Sequence, residues 1–186
     1  MRMIRKYIML AAGVLRLFKE KIWNLNALKL DGIKYYIGHN VRIMTSNNGR
    51  CYLGKKTWLS DNCYLSANGG YIELGNNNYF NSNCKIVALQ SIKIGDNNLF
   101  GPNSTIVDHN HRYEDSFLPI CKQGYVKKEI VIGSDVWIGA NVTICAGTVI
   151  GDHVVIGANS VVSKSIIQPG VYAGCPAKKI KEKASE

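Results

Sequence analysis

The sequence predicts an all-β solenoid, a parallel β-helix of hexapeptide repeats, and three observations carry that prediction. First, an aliphatic side chain returns at every sixth position over Ile132, Ile138, Ile144, Ile150, Ile156 and Val162. That period matches neither the 3.6 of a helix nor the 2 of a half-buried strand. Second, Gly133, Gly139, Gly151 and Gly157 each follow an anchor directly. Third, the fifth place of each unit is small or β-branched: Val136, Val142, Thr148, Val154, Ser160. Self-similarity at a short fixed period marks a stack in which each unit buries its apolar side only against its neighbours.

Taken in order, the chain opens with its one helical stretch, residues 1–30, where cations alternate with Ile, Met, Leu and Phe. Its apolar core, Tyr7 to Leu15, is too short to span a bilayer, and no small-residue cleavage site follows. Two readings stay open: a helix that caps the first coil or packs on a neighbouring subunit, or a basic amphipathic helix lying on an anionic membrane through residues 1–24. The hexapeptide phase starts at Ile37-Gly38 and runs to about residue 175, with an irregular insertion, SNNGR, near its beginning. Groups of three anchors, with an occasional extra residue at a corner, describe a prism of three flat faces whose coils are about 4.8 Å apart. The phase breaks over residues 107–131, which contain His109 and His111. A long unpatterned loop inside a compact repeat is usually functional. A basic tail, 176–186, closes the chain.

A chain of 186 residues with 46% hydrophobic residues can bury one core, and no linker divides it. The formal net charge of +10 arises from Lys and Arg crowded at the two ends. That distribution argues against nucleic acid and for anionic phosphate or lipid. The six cysteines form no C-x-x-C pair and no zinc-spaced cluster, and Cys63 and Cys84 occupy the small fifth place of their units. Such usage fits a reducing cytoplasm.

The hexapeptide phase, the DHNH segment, IGSDVWIGANVTICAGTVIGDHVVIGANSVVSKSI and the closing PGVYAGCPAKKIK together resemble the hexapeptide-repeat O-acetyltransferases, the group of galactoside, maltose and bacterial polysaccharide acetyltransferases. The resemblance covers roughly residues 37–181. It implies a left-handed parallel β-helix, a homotrimer with active sites between subunits, and acetyl transfer from acetyl-CoA to a hydroxyl. It also implies residue roles. His109 matches the catalytic base, and a positioned base is worth about 10²- to 10⁴-fold. His111 is open between acceptor contact, base and solvated bystander. Asp108, Glu114 and Asp115 are the nearby carboxylates that can orient an imidazole. Asn81 matches an acceptor-binding position, where an amide can both donate and accept. Leu89 stands where those enzymes carry a carboxylate, which tells against a simple galactoside or maltose acceptor.

For the donor, the resemblance lays the pantetheine arm along Gly139, Ala140 and Ala158, beside Trp137, whose indole either packs on a substrate or merely covers a coil. Ser163, Lys164, Lys178 and Lys179 match positions near the CoA phosphates; a solvated tail is the competing reading of the last two. No metal is expected, and no covalent acetyl-Cys step, Cys121 being the one loop cysteine. The acceptor implied is a glycan or lipid-linked sugar at the inner face of the cell membrane, with an antibiotic or amino sugar as alternative. A zinc enzyme of the γ-carbonic-anhydrase type, using His109 and His111 with His39 or His153, and a non-catalytic scaffold are the rival classes.

Overall fold

The computed structural model describes residues 2–182 apart from Ile33, and the backbone alone for residues 2–10. Residues 183–186 of the expected tail therefore lie outside the described residues.

The chain winds as a three-faced prism of parallel strands. The first face stacks Leu28–Leu30, Arg50–Leu53, Tyr71–Leu74, Ser91–Ile94, Ile130–Ile132 and Val149–Ile150. The second runs from Tyr36–Ile37 through Trp58–Leu59, Tyr79–Phe80, Leu99–Phe100, Trp137–Ile138 and Val154–Ile156 to Gly170–Ala173. The third holds Arg42–Ser46, Tyr64–Asn68, Lys85–Ala88, Thr105–Val107, Thr143–Ile144 and Val161–Val162. Each strand pairs with the strand one coil away, so backbone hydrogen bonds run along the prism axis.

The anchors behave as their period requires. Ile132, Ile138, Ile144, Ile150, Ile156 and Val162 are all at most 1% exposed. The same columns continue down the prism through Phe80 and Phe100, whose rings stack at 4.4 Å. Cys63 and Cys84 are buried in the small column, as their place in the repeat suggests.

Corners are made largely by residues held at positive φ, and ten of the thirteen described non-glycine ones are Asn, a side chain that tolerates the left-handed region well. At the corner between second and third faces they form a ladder: the Asn83 amide donates to Asn103 at 3.0 Å, Asn103 to Asn141 at 2.9 Å, and Asn141 to Asn159 at 3.0 Å. A second, buried ladder stands at the corner between first and second faces. Asn98 Nδ2 donates to the carbonyls of Gly95 and Gly133, and its Oδ1 accepts the N–H of Val136 at 2.8 Å.

Two features differ from the sequence reading. The first coil begins at Leu28–Leu30, upstream of Ile37, with Leu28 fully buried. Its corner lacks the hexapeptide cue because the chain there is making the transition out of a helix. The basic tail is not a free end: Lys178–Lys181 turns back as an antiparallel strand on Gly170–Ala173 and closes one end of the prism.

At the other end lies the helix, α1 (Arg2–Asn24). A prism end exposes backbone groups that the next coil would have paired, and these must find other partners. Helix side chains supply them. Arg16 donates to the Ile37 carbonyl at 2.9 Å, Glu20 accepts the Ile43 N–H at 2.8 Å, and buried Asn24 donates to the Ile43 carbonyl while accepting from Thr45. Of the readings left open for this helix, the structure shows the cap on the first coil. Among the described residues no helix is long and apolar enough to cross a membrane.

Candidate active site

The corner between third and first faces is where the prism gives way to the loop. The strand Thr105–Val107 ends at Asp108, which is fully buried. A buried carboxylate needs compensating donors, and the neighbouring corner provides three: Oδ1 accepts the Leu89 N–H at 2.8 Å, and Oδ2 accepts those of Gln90 and Ser91 at 2.7 and 2.8 Å. The fourth contact is His109 Nδ1, at 3.0 Å from Oδ1. A carboxylate offers only lone pairs, so Nδ1 is the donor, and in the neutral imidazole the lone pair then lies on Nε2. No described residue bonds Nε2. The His109 side chain is 15% exposed, open enough to be reached and fixed enough to be aimed.

The loop is less irregular than its sequence. His109–His111 pairs antiparallel with Tyr125–Lys127, forming a hairpin that stands off the prism. The Tyr125 ring meets His109 edge-on at 5.3 Å and lies tilted over His111 at 4.5 Å. The two imidazoles thus share one aromatic neighbour, but only His109 has a carboxylate behind it. Of the other candidates, Glu114 and Asp115 are exposed in the outer loop and bond to Tyr113, Phe117 and Gln123, away from the histidines. Where the chain rejoins the prism, Glu129 accepts from Lys93 Nζ at 2.8 Å and from Ser91 Oγ at 3.0 Å. The Lys93 ammonium, then the Ser91 hydroxyl, hold the Glu129 carboxyl below the usual range.

Leu89 lies at the same corner as His109, one coil earlier, its N–H given to Asp108. Ser163 and Lys164 are exposed at this corner two coils further on, after Val161–Val162. The remaining candidates stand elsewhere. Asn81, Gly139, Ala140 and Ala158 fall at the corner between second and third faces, and Asn159 N donating to the Ala140 carbonyl shows the stacking. Asn81 Oδ1 is taken by the Ser82 N–H at 2.8 Å, while its amide nitrogen has no partner among the described residues. At Gly139 an added Cβ would sit 2.6 Å from Ala158 N, so only Gly fits there. Trp137 points outward from the second face, 57% exposed between Leu99 and Val155. Lys178 and Lys179 lie on the closing strand, Lys179 paired with Glu182 at 2.5 Å.

A single chain therefore separates His109, Leu89, Ser163 and Lys164 at one corner from Asn81, Gly139, Ala140 and Ala158 at another. The strand from Asn103 to Asp108 separates them by about 16 Å at about 3.3 Å per residue. His109 and the small-residue row of one chain do not meet.

Burial raises the Cys145 thiol, and burial pushes Cys51 up to about 12. Cys121 is exposed in the loop with no hydrogen bond to a histidine or carboxylate among the described residues. His39 and His153 pair with Asp61 and Asp135, at two other corners. Among the described residues no cluster of three His, Cys, Asp or Glu is placed to hold a metal within one chain.

Fold and repeat together define a hexapeptide-repeat β-solenoid. The family model "Bacterial transferase hexapeptide (six repeats)" matches residues 129–164. A putative lipopolysaccharide biosynthesis O-acetyl transferase of Escherichia coli K12 is 37% identical over 144 residues, covering 73% of this chain and 74% of that protein. The chain belongs to the hexapeptide-repeat acetyltransferase family. A probable acetyltransferase of Mycobacterium tuberculosis is 32% identical across 90% of this chain, and the galactoside O-acetyltransferase of E. coli K12 is 39% identical across 70%. The chain spans only 56% and 63% of the lengths of these two relatives. Among solved structures, an N-acyltransferase from Bacillus cereus in complex with dTDP and coenzyme A superposes with a TM-score of 0.70 at 21% identity, covering 89% of each chain. That likeness supports the fold.

Proposed function

We propose that the protein is an acetyl-CoA-dependent O-acetyltransferase acting on a sugar hydroxyl in cell-surface polysaccharide biosynthesis, by direct transfer. The observation that carries the proposal is His109, its Nδ1 tied to a buried carboxylate and its Nε2 unpartnered at the root of the hairpin. Acetyl-CoA supplies the thioester-activated acetyl group as second substrate. The row Gly139, Ala140 and Ala158 fits its pantetheine arm because none of these three residues carries a side chain larger than methyl, and Ser163, Lys164, Lys178 and Lys179 supply polar and cationic groups for its phosphates. Trp137 flanks the arm.

In the reaction His109 Nε2 takes the proton of the acceptor hydroxyl as its oxygen attacks the acetyl carbonyl. The carbonyl oxygen, briefly negative, is met by a backbone N–H of the coil wall. The imidazolium then returns its proton to the departing CoA sulfur, which leaves as the thiol. Asn81 and His111 bind the acceptor. Because the two corners are separated within one chain, the complete site lies between subunits: we place His109 of one copy against the small-residue row of the next, in a homotrimer. The enzyme works in the cytoplasm, and its N-terminal helix brings it to the inner face of the membrane, where lipid-linked glycans are assembled.

The test is acetyl transfer by purified protein with acetyl-CoA and a panel of glycosides, an amino sugar and a macrolide, followed by mass spectrometry of the products. His109→Ala should lower turnover by at least about 10²-fold with CoA binding retained. Wild-type turnover in that variant would remove His109 as base.

A further inference from the structure

The helix that caps the prism leaves an apolar surface that its capping role does not use. Its inner face, Gly13, Leu17 and Asn24, is buried on the first coil. Beside that face run Val14, Leu15, Phe18, Ile22 and Leu25, between 53% and 73% exposed. The i, i+3 and i+4 spacing of Val14, Leu15, Phe18 and Ile22 makes one continuous stripe, and Leu25 follows in the turn after the helix. The stripe borders two hollows of about 390 and 220 Å³ that share Val14 and Tyr35.

The floor of these hollows is rigid and aromatic. Tyr35 donates its hydroxyl to the Leu53 carbonyl at 3.0 Å, and burial pushes its pKa up to about 12, so it stays neutral. The Tyr36 and Trp58 rings stack at 3.9 Å, and Trp58 Nε1 donates to Ser60 Oγ. An apolar surface so large is unusual on a soluble protein without a partner.

Charge identifies the partner. Lys34 and Lys56 line the larger hollow, and with Lys55 they surround a third, of about 330 Å³. At this corner the carbonyls that receive the next coil's N–H belong in turn to Lys34, Lys55, Asn76, Asp96 and Ser134. Cations therefore occupy the two coils beside the helix, whereas neutral and acidic residues occupy the same column further away. The acid facing these lysines is Asp31, 3.6 Å from Lys55, in an exposed pair worth little. The one acid on α1, Glu20, is turned inward to Ile43. A second copy of the chain docked on this face about a two-fold axis would set lysine against lysine.

We propose that this end of the prism seats on an anionic bilayer: the α1 stripe enters the acyl region, and Lys34, Lys55 and Lys56 take the lipid phosphates. This rests on the membrane placement in the functional reading above, though not on its chemistry. The aromatic floor between them suits the interfacial zone, where rings with one polar edge settle. The arrangement also sets an orientation, with the prism axis standing off the membrane and the hairpin of His109 held above it.

Co-sedimentation with vesicles tests this directly. Wild type should bind phosphatidylcholine vesicles containing about one part in three phosphatidylglycerol at least tenfold more tightly than phosphatidylcholine alone. Phe18→Ser with Ile22→Ser, both at exposed positions, should lower that binding at least tenfold; Lys34→Glu with Lys56→Glu should lower it about thirtyfold or more. Melting temperature and acetyl transfer to a soluble acceptor should be unchanged in both variants, so a failed transferase assay and a failed vesicle assay are separate outcomes. Equal binding to both vesicle types, or undiminished binding by the lysine variant, would overturn the proposal. So would mass doubling without lipid that Phe18→Ser abolishes, which assigns the face to a second copy. Stabilisation by inorganic phosphate without vesicle binding would reduce it to a free-anion site.

Discussion

Replacing Asp108 by Asn tests the centre of the site with the least change in shape. The carboxylate accepts four hydrogen bonds, from Leu89 N, Gln90 N, Ser91 N and His109 Nδ1. An amide keeps one acceptor oxygen. If that oxygen stays on the Leu89 and His109 side, the new NH₂ faces the N–H groups of Gln90 and Ser91, and two buried donors lose their partner at about 1–3 kcal/mol each. If the amide turns over, the NH₂ faces His109 Nδ1, which must then become the acceptor, and Nε2 carries the proton and cannot act as base. Stability should fall by about 2–6 kcal/mol in the first arrangement and, with the Leu89 N–H alone left unpaired, by about 1–3 kcal/mol in the second, read from urea unfolding by linear extrapolation. Turnover should fall with it by about 10- to 10³-fold, since the variant loses the aimed base in part or whole. The decisive measurement is a double-mutant cycle with His109→Ala. If Asp108 acts through the imidazole, the double variant should be no slower than His109→Ala alone. Multiplying losses would show that Asp108 does not work through His109, and a variant as stable as wild type would refute the burial argument.

The other predictions concern distinct parts of the chain. Ile144→Ala should cost about 2–5 kcal/mol through the cavity it leaves in a fully buried column, seen in unfolding before kinetics. Asn98→Ala should cost about 2 kcal/mol or more, because it strands the carbonyl of Gly133 and the N–H of Val136, Gly95 keeping the Asn78 amide, whereas Asn103→Gly on the exposed ladder, which keeps the positive φ, should cost about 1 kcal/mol or less. Lys178→Glu with Lys179→Glu should weaken CoA more than acceptor in calorimetry; an equal effect on both would leave these lysines a structural role in the closing strand. Glu129→Gln should shallow the acid limb of the stability profile slightly. A carboxyl held below its unfolded value contributes above that value and loses the contribution as pH falls through the folded one.

The regular coils could be read from the sequence because a solenoid repeats its constraints: each anchor from Ile132 to Val162 meets the same geometry. The ends could not, since each is unique. Leu28–Leu30 carries no hexapeptide cue, and nothing in the sequence says that Glu20 and Asn24 would stand in for a missing coil. For the site, the break in period located His109, but the role of Asp108 depends on three N–H groups of residues 89–91, a coil away in space. Tyr125 was missed for the same reason, since its contact with both histidines exists only once the hairpin forms. The residue types also concealed the separation of Gly139, Ala140 and Ala158 from His109, because a linear motif carries no record of which corner each residue turns.

Ile92 pairs with Ile130 across the loop in the same register as Ile72 pairs with Ile92 below it. The ladder passes from one coil to the next as though residues 109–127 were not there. The hairpin is in that sense a cassette: it can be exchanged or resized without moving any rung of the prism, provided Asp108 still closes the corner behind it. Selection can therefore alter what the hairpin touches while the coils keep their stability, and related chains should differ most in length and composition between His111 and Lys128, beyond the base His109.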